Sequence, residues 1–139
     1  MKKLTQNSGF TLIEIIIVVI IIGVLASLAL PRMIKTVEFS RSAEALSTLG
    51  SVRQALERCY LQDGFKYNNC SMTNIDVEGG INNAHFGYTI TGAGTRGYTI
   101  TANRNTVDGG KTASHVWLVQ DQTSGAVSRG GDGDFSSVK

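Results

Sequence analysis

An apolar run from Phe10 to Leu30, interrupted by a single acidic residue, Glu14, constrains this chain more than any other feature of its sequence. A helix through the run is about 31 Å long at ~1.5 Å per residue, which matches a hydrocarbon core of ~30 Å. A buried core helix is the alternative, but the rest of the chain is too polar to surround a helix that is apolar on every side. The run therefore predicts a membrane-spanning helix.

Glu14 carries the one charge in this run. An acid at the centre of a membrane helix costs at least roughly 2.5 kcal/mol, so such residues usually have a function and a partner. A lone carboxylate in lipid either takes up a proton or finds a cation. The residue therefore points to an assembly made of many copies of the chain. A solvated position near the cytoplasmic face is the alternative.

The charge balance does not indicate a nucleic-acid-binding chain. The formal net charge is +2, and Lys2 and Lys3 supply the excess. Of 13 basic and 11 acidic residues, 11 of each remain when residues 1–9 are removed. Neutrality favours self-association over electrostatic steering. The positive-inside rule keeps Lys2 and Lys3 in the cytoplasm and exports residues 32–139.

The two cysteines, Cys59 and Cys70, lie in the exported part of the chain. An exported pair at this spacing predicts a disulfide, with two free buried thiols as the alternative. A metal site is less favoured, because His85 and His115 lie far away without ligand spacing.

Beyond Pro31 the pattern becomes amphipathic, with apolar residues at spacings of three and four apart from one longer gap. We expect one continuous helix from Thr11 to about Leu61, in which residues 10–31 lie in the membrane and residues 32–61 pack on a small domain. Gly23 and Pro31 weaken the first part. The apolar positions of the second part are Ile34, Val37, Leu46, Leu49, Val52, Leu56 and Cys59.

Residues 62–139 predict a loop region followed by an antiparallel sheet of three or four strands, so that the chain has an α+β fold. The breakers Asn68-Asn69, Gly79-Gly80 and Asn82-Asn83 predict loops over residues 62–86. The Gly- and Asp-rich segment from Arg129 predicts a mobile tail. The expected strands are Gly87–Thr91, Gly97–Thr101, Ser114–Gln120 and, as a short fourth strand, Ala126–Ser128.

Other signals are weaker. Asp132 and Asp134 are calcium candidates, although Phe135 stands where a calcium repeat has aspartate and a flexible polar tail is the alternative. Asn69 fits a glycosylation sequon, but a loop role is favoured. No catalytic constellation indicates an enzyme. Four dispersed cations form a possible DNA-contact patch, although solvated loop charges are the favoured interpretation; they are Arg96, Arg104, Lys111 and Arg129.

Residues 1–31 closely resemble a type IV prepilin. Residues 9–14, Gly-Phe-Thr-Leu-Ile-Glu, are similar to the leader-cleavage and N-methylation signature of that family. The resemblance implies that residues 1–9 are a leader cut after Gly9 by a prepilin peptidase, and that the amine of Phe10 is then methylated. It also implies that Glu14 pairs with the Phe10 amine of a neighbouring subunit, and that the helix loses order between Gly23 and Pro31 in filaments.

The geometry of a helix supports the same pairing, because the Phe10 amine would lie one turn before Glu14 on the same helix face. Pairing within one chain is therefore an alternative to pairing between subunits. An ordinary signal peptide is the competing interpretation of the N-terminus, since Ser27-Leu28-Ala29 is similar to a signal-peptidase site. The mature chain would then begin near Leu30 instead of Phe10, and the intact mass distinguishes the two.

The resemblance implies a pilin fold and a major type IV pilin. Such a subunit is held in the inner membrane, joins an assembly platform and polymerises through its N-terminal helices into an extracellular pilus for motility, adhesion or DNA uptake. Neither a cofactor nor nucleic acid is expected as a partner. The alternatives are a pseudopilin of a type II secretion system, which a calcium-binding tail would favour, a minor pilin, and a membrane-anchored binding module.

Overall fold

One long helix and four antiparallel strands form the regular structure of the described residues, which are residues 9–77, 81 and 84–139 of a computed structural model. The predicted leader up to residue 8 and the breakers Gly79-Gly80 and Asn82-Asn83 lie outside these residues. The chain divides into two compact units at Lys35. The elements are α1 (Leu12–Gln62), β1 (Phe86–Thr91), β2 (Tyr98–Arg104), β3 (His115–Gln120) and β4 (Val127–Gly131), with 3₁₀ turns at Val107–Gly109 and Gly133–Phe135.

The first part of α1 is apolar on every side. Every Leu, Ile, Val and Met side chain from Leu12 to Ile34 is exposed. Among the described residues, α1 is the one helix whose length and composition would allow it to cross a membrane. The helix continues through Pro31. The prediction of a long apolar helix is therefore confirmed.

The second part of α1 buries one stripe of side chains. The predicted stripe is confirmed at Leu49, Val52 and Leu56, which are fully buried. It is wrong at Ile34 and Val37, which are 64% and 47% exposed. At its N-terminal end the buried stripe is displaced by one residue along the helix and consists of polar or small side chains. These positions are Glu38, Ser42 and Ala45.

The four strands pair in the order β1-β2-β3-β4, and all the pairs are antiparallel. Two identical pentapeptides, Gly87–Thr91 and Gly97–Thr101, lie in the β1–β2 hairpin, with Ile90 opposite Ile100. Alternate residues of β2 face the core, because successive side chains in a strand point to opposite faces. Tyr98, Ile100 and Ala102 are buried there with the apolar stripe of α1. Each buried side chain as large as Ile100 contributes about 1.5–3 kcal/mol.

A glycine terminates α1, and a disulfide attaches the following segment to the last turn of the helix. Gly64 has a φ of 68°, and the N–H of Phe65 donates to the carbonyl of Tyr60 at 2.9 Å, as in a Schellman motif. The rings of Phe65 and Tyr60 meet at 5.7 Å. The predicted disulfide between Cys59 and Cys70 is confirmed, so the chain beyond the helix is held at its last turn.

The segment from Arg129 is not the mobile tail that its composition predicts. β4 extends to Gly131, and Phe135 and Val138 are buried. The ring of Phe135 lies 5.7 Å from that of Phe86 at the start of β1. Glycine and aspartate lowered the apparent hydrophobicity of this segment, but two well-placed apolar side chains are enough to anchor it.

We expect the double substitution Cys59→Ser and Cys70→Ser to lower the free energy of unfolding by roughly 2–3 kcal/mol, because the bond closes a short loop in the unfolded chain. Urea unfolding of the full chain in detergent micelles, followed by the fluorescence of its one tryptophan, measures the change. The reduced wild-type chain should unfold like the double variant. Equal stability of the oxidised and reduced chains would contradict the expectation.

Candidate functional site

The N-terminal end of α1 is a capping box made by Thr11 and Glu14. The backbone N–H and the hydroxyl of Thr11 both lie 3.0 Å from Oε2 of Glu14. The N–H of Glu14 donates to Oγ1 of Thr11 at 3.3 Å. Reciprocal bonds of this kind satisfy N–H groups that have no partner within a helix, and an N-cap is worth about 1 kcal/mol. Glu14 therefore has a structural role within its own chain.

The sequence carries a signal for this cap that apolar periodicity does not reveal, since Thr-x-x-Glu before an apolar run is the capping-box signature. The cap also corrects the expected position of Phe10. The helix begins at Leu12, so Phe10 precedes it and does not share a helix face with Glu14. Phe10 is 83% exposed, and Gly9 beside it is exposed as well.

Both hydrogen bonds to the Glu14 side chain use one oxygen. Among the described residues, no hydrogen bond to Oε1 of Glu14 accompanies those to Oε2. A carboxylate accepts on both oxygens. The cap is thus compatible with a second, cationic partner on Oε1.

A second polar site lies in the other unit, where Arg104 of β2 meets Glu38 of α1. Nε and Nη2 of Arg104 lie 3.1 and 3.2 Å from the two carboxylate oxygens, so the pair is bidentate. The Arg104 side chain is fully buried, and that of Glu38 is 11% exposed. Arg104 also lies over the ring of Phe86, at 5.7 Å from its centroid.

The remaining N–H groups of Arg104 bind backbone carbonyls around the end of the sheet. Nη1 donates to the carbonyls of His85 and Asn105, and Nη2 donates to that of Val107. All five N–H groups therefore have acceptors, which is the condition under which a buried guanidinium is tolerated. A Cβ at Gly110 would meet Cζ of Arg104 at 2.3 Å, so this position requires glycine.

Three further side chains extend the site toward solvent. Arg41 donates to Glu38 at 2.7 Å and to Asp108 at 3.1 Å. Nε2 of His85 also lies 3.1 Å from Asp108. The Arg104 guanidinium, followed by Arg41, lowers the pKa of Glu38, although burial acts in the opposite direction. The network joins α1 to the ends of β1 and β2.

Arg104 corrects the expectation that the four dispersed cations are solvated loop charges. It is 1% exposed, whereas Arg96, Lys111 and Arg129 are exposed. Its partner is 66 residues away in the chain, and no local pattern indicates such a pair.

The carboxylates of both calcium candidates contact other protein side chains. Asp132 contacts Nδ1 of His115 and Asp134 contacts Nζ of Lys111, both at 3.0 Å. The described residues contain no group of three or more His, Cys, Asp or Glu side chains that could hold a metal ion. Neither histidine is isolated, because His85 and His115 both have carboxylate partners from distant parts of the sequence.

Two family models match consecutive parts of the chain. The model described as prokaryotic N-terminal methylation motif matches residues 4–30. The model described as type IV minor pilin ComP, DNA uptake sequence receptor, matches residues 31–114. The second match covers more than half of the chain and includes α1 after Leu30, β1 and β2.

Curated relatives match the N-terminal half. The chain is 44% identical over 70 residues to the type IV major fimbrial protein FimA of Dichelobacter nodosus, covering 50% of this chain and 42% of the relative. It is 50% identical over 64 residues to a probable minor fimbrial protein of the same organism, covering 46% and 38%. It is 39% identical over 62 residues to the type II secretion system core protein G of Pseudomonas aeruginosa, covering 45% and 43%. The match spans less than half the length of each relative.

We expect Arg104→Met to destabilise the fold by about 3–5 kcal/mol, because it leaves the Glu38 carboxylate buried without its main cation. Replacing both partners, as Glu38→Leu with Arg104→Met, should recover part of the loss. The pKa of Glu38 is lowered from 4.5 in the folded chain. The contribution of Glu38 to the free energy of unfolding is therefore complete above pH 4.5 and is lost as the pH falls through the pKa of the folded chain.

Urea unfolding at neutral pH and below pH 4.5 measures both effects. Glu38→Gln should lose less stability on acidification than the wild type does. Equal acid sensitivity of the two chains would show that Glu38 does not carry this dependence.

Proposed function

The chain belongs to the ComP family of type IV pilins, and we propose that it polymerises through its N-terminal helix into an extracellular type IV pilus. As a member of that family it is a pilin-type structural subunit. The observation that carries the finer proposal is the Glu14 carboxylate in an exposed apolar helix, directly after the proposed cleavage site at Gly9 and within the matched methylation motif. Before assembly, the helix would anchor the subunit in the inner membrane.

The exposed apolar surface of α1 is longer than a membrane needs. It continues past Leu30, with Met33, Ile34, Val37 and Phe39 all between 47% and 65% exposed. Contiguous exposed apolar surface marks a site of association. Lipid would cover residues 10–30 before assembly, and helices of other subunits would cover the whole length afterwards. This surface supports a homopolymer held together through its N-terminal helices.

The proposed electrostatic contact of assembly is between Glu14 and the Phe10 amine of a neighbouring subunit. That amine exists only after a prepilin peptidase has cut the chain following Gly9. Thr11 occupies Oε2 of Glu14, and Oε1 would accept the amine. A pair in a low-dielectric bundle fixes register more than it adds stability. Gly23 and Pro31 are the positions between which the helix would lose helical order as subunits pack.

We expect Glu14→Val to leave membrane insertion intact and to reduce the yield of filaments more than about tenfold, since an unpaired amine in a bundle interior costs several kcal/mol. Glu14→Gln should be equally defective, although glutamine preserves the capping box. Thr11→Ala removes the cap at a cost of about 1 kcal/mol and should still assemble. Electron microscopy of sheared filaments, with membrane fractions as the insertion control, measures all three.

The matched pair of variants separates charge from capping. If Glu14→Gln assembles and Thr11→Ala does not, Glu14 acts through the cap and the proposed ion pair is wrong. Normal filaments from Glu14→Val would show that assembly needs neither the cap nor the ion pair.

A pseudopilin of a type II secretion system is the competing assignment, since the core protein G of P. aeruginosa is 39% identical over 62 residues. A pseudopilin would form short periplasmic filaments, whereas the proposed pilin forms long surface ones. Mass analysis of sheared surface filaments tests this directly. A subunit that begins at methylated Phe10 supports the proposal, and absence of the chain from surface filaments contradicts it.

DNA binding is a second candidate, because the matched family model carries the description of a DNA uptake sequence receptor. Lys66 and Arg96 are exposed cations on two segments that the fold brings together. The N–H of Tyr67 donates to the carbonyl of Gly94 at 2.9 Å, which places the segment with Lys66 beside the turn with Arg96. Cations so placed suit the phosphate backbone.

If this surface binds DNA, Lys66→Ala with Arg96→Ala should weaken binding to a duplex and reduce the slope of log affinity against log salt by about two. Lys111→Ala with Arg129→Ala removes the same charge elsewhere and is the matched control. Fluorescence anisotropy of a labelled duplex at several salt concentrations gives the slopes. Equal slopes for the two double variants would contradict this location.

A further inference from the structure

The sheet has a second, outward face that carries polar side chains around the one tryptophan of the chain. On β2, Thr99, Thr101 and Asn103 alternate with buried residues and are partly exposed. The strand register places Trp117 opposite Thr101 and His115 opposite Asn103. These side chains border a shallow, open depression of about 380 Å³.

A glycine on the neighbouring strand leaves room for the indole of Trp117. Gly130 of β4 lies directly opposite it, and a Cβ there would meet Cζ2 of the indole at 2.3 Å. The ring therefore covers Gly130 on one side and remains partly exposed. A fixed, partly exposed indole offers a broad apolar surface at little cost in side-chain entropy.

The polar groups beside the indole are oriented by their neighbours. Asp132 accepts from the N–H of His115 at 2.8 Å and lies 3.0 Å from Nδ1 of its ring. This bond fixes the imidazole and directs its other nitrogen, Nε2, away from the carboxylate. The amide of Asn103 donates to Oγ1 of Thr89 at 3.3 Å, which leaves its carbonyl oxygen for another partner.

The charge of this depression selects the class of ligand. Among the described residues that line it there is no Lys or Arg, and the one acid, Asp132, lies 3.0 Å from Nδ1 of His115. A polyanion such as DNA would find no cation here to contact its phosphates. Hydroxyl, amide and imidazole groups instead suit a neutral ligand with many hydroxyl groups and an apolar ring face.

We propose that the outward face of the sheet around Trp117 binds neutral pyranose units of an oligosaccharide. One sugar ring stacks on the exposed side of the indole. Its hydroxyl groups bond to Asn103, to Nε2 of His115 and to the threonine hydroxyls of β2. Thr99 lies on the same face two residues before Thr101, the partner of Trp117, so that an adjacent unit of a chain also contacts the face.

The test uses the purified full chain in a micelle of a detergent without sugar groups, titrated with hexasaccharides of β-1,4-linked glucose and of β-1,4-linked N-acetylglucosamine. Because Trp117 is the one tryptophan, its fluorescence reports on this site. We expect a saturable change with at least one hexasaccharide. Asn103→Ala and His115→Ala keep the probe and should each weaken binding severalfold.

The contribution of the indole is measured by calorimetry with Trp117→Phe and Trp117→Ala. Phenylalanine should retain part of the affinity, and alanine should weaken it roughly tenfold or more. Thr123→Ala, in the exposed turn between β3 and β4, is the matched control and should bind as the wild type does. Far-ultraviolet circular dichroism establishes that each variant is folded.

Three results would overturn the proposal. One is the absence of binding by either hexasaccharide up to about 10 mM. Another is equal weakening by Thr123→Ala and His115→Ala, which would place the site elsewhere. The third is a tryptophan response to duplex DNA or to increasing protein concentration without a response to sugar, which would assign the face to nucleic acid or to a second copy.

Discussion

The bidentate pair between Arg104 and Glu38 fixes the position on α1 of one end of the sheet, the end where β1 starts and β2 finishes. Arg104 stands at the end of β2, and its five N–H groups bind Glu38 and the carbonyls of His85, Asn105 and Val107. One buried guanidinium thus holds the start of β1, the end of β2 and the following turn to α1. Buried pairs of this kind specify a geometry more than they add net stability.

The apolar core stabilises the same arrangement, but its contacts determine the relative position of α1 and the sheet less strictly than this pair does. Leu49, Val52 and Leu56 are buried with Ile100 and Val116, and such contacts are favourable in several arrangements. At the other end of the sheet, the disulfide between Cys59 and Cys70 and the cap at Gly64 join the chain to the last turn of α1. Directional contacts at both ends and an apolar core between them therefore select one arrangement.

The features that followed from local sequence were predicted well. The length of α1, its end close to Leu61, the hairpin of identical pentapeptides and the disulfide all depend on periodicity, turn chemistry or compartment. The buried positions of Glu38 and Arg104 were not predictable in this way, because each is tolerated only through the other, 66 residues away. The order of the C-terminal segment was missed for a similar reason, since the partner of Phe135 is Phe86.

The candidate assembly site is the opposite case, because the local sequence contains the signal for both the cap and the charge at Glu14. The sequence pattern indicates that the Glu14 charge needs a cationic partner. Thr11 supplies hydrogen bonds to it at once, through Oε2, so the carboxylate is solvated by its own helix end before any partner arrives. Under the proposed function, this cap would lower the cost of carrying the charge into the membrane. It would also orient Oε1 toward the neighbouring amine that cleavage creates. Under the proposed function, capping and pairing are therefore successive uses of one side chain.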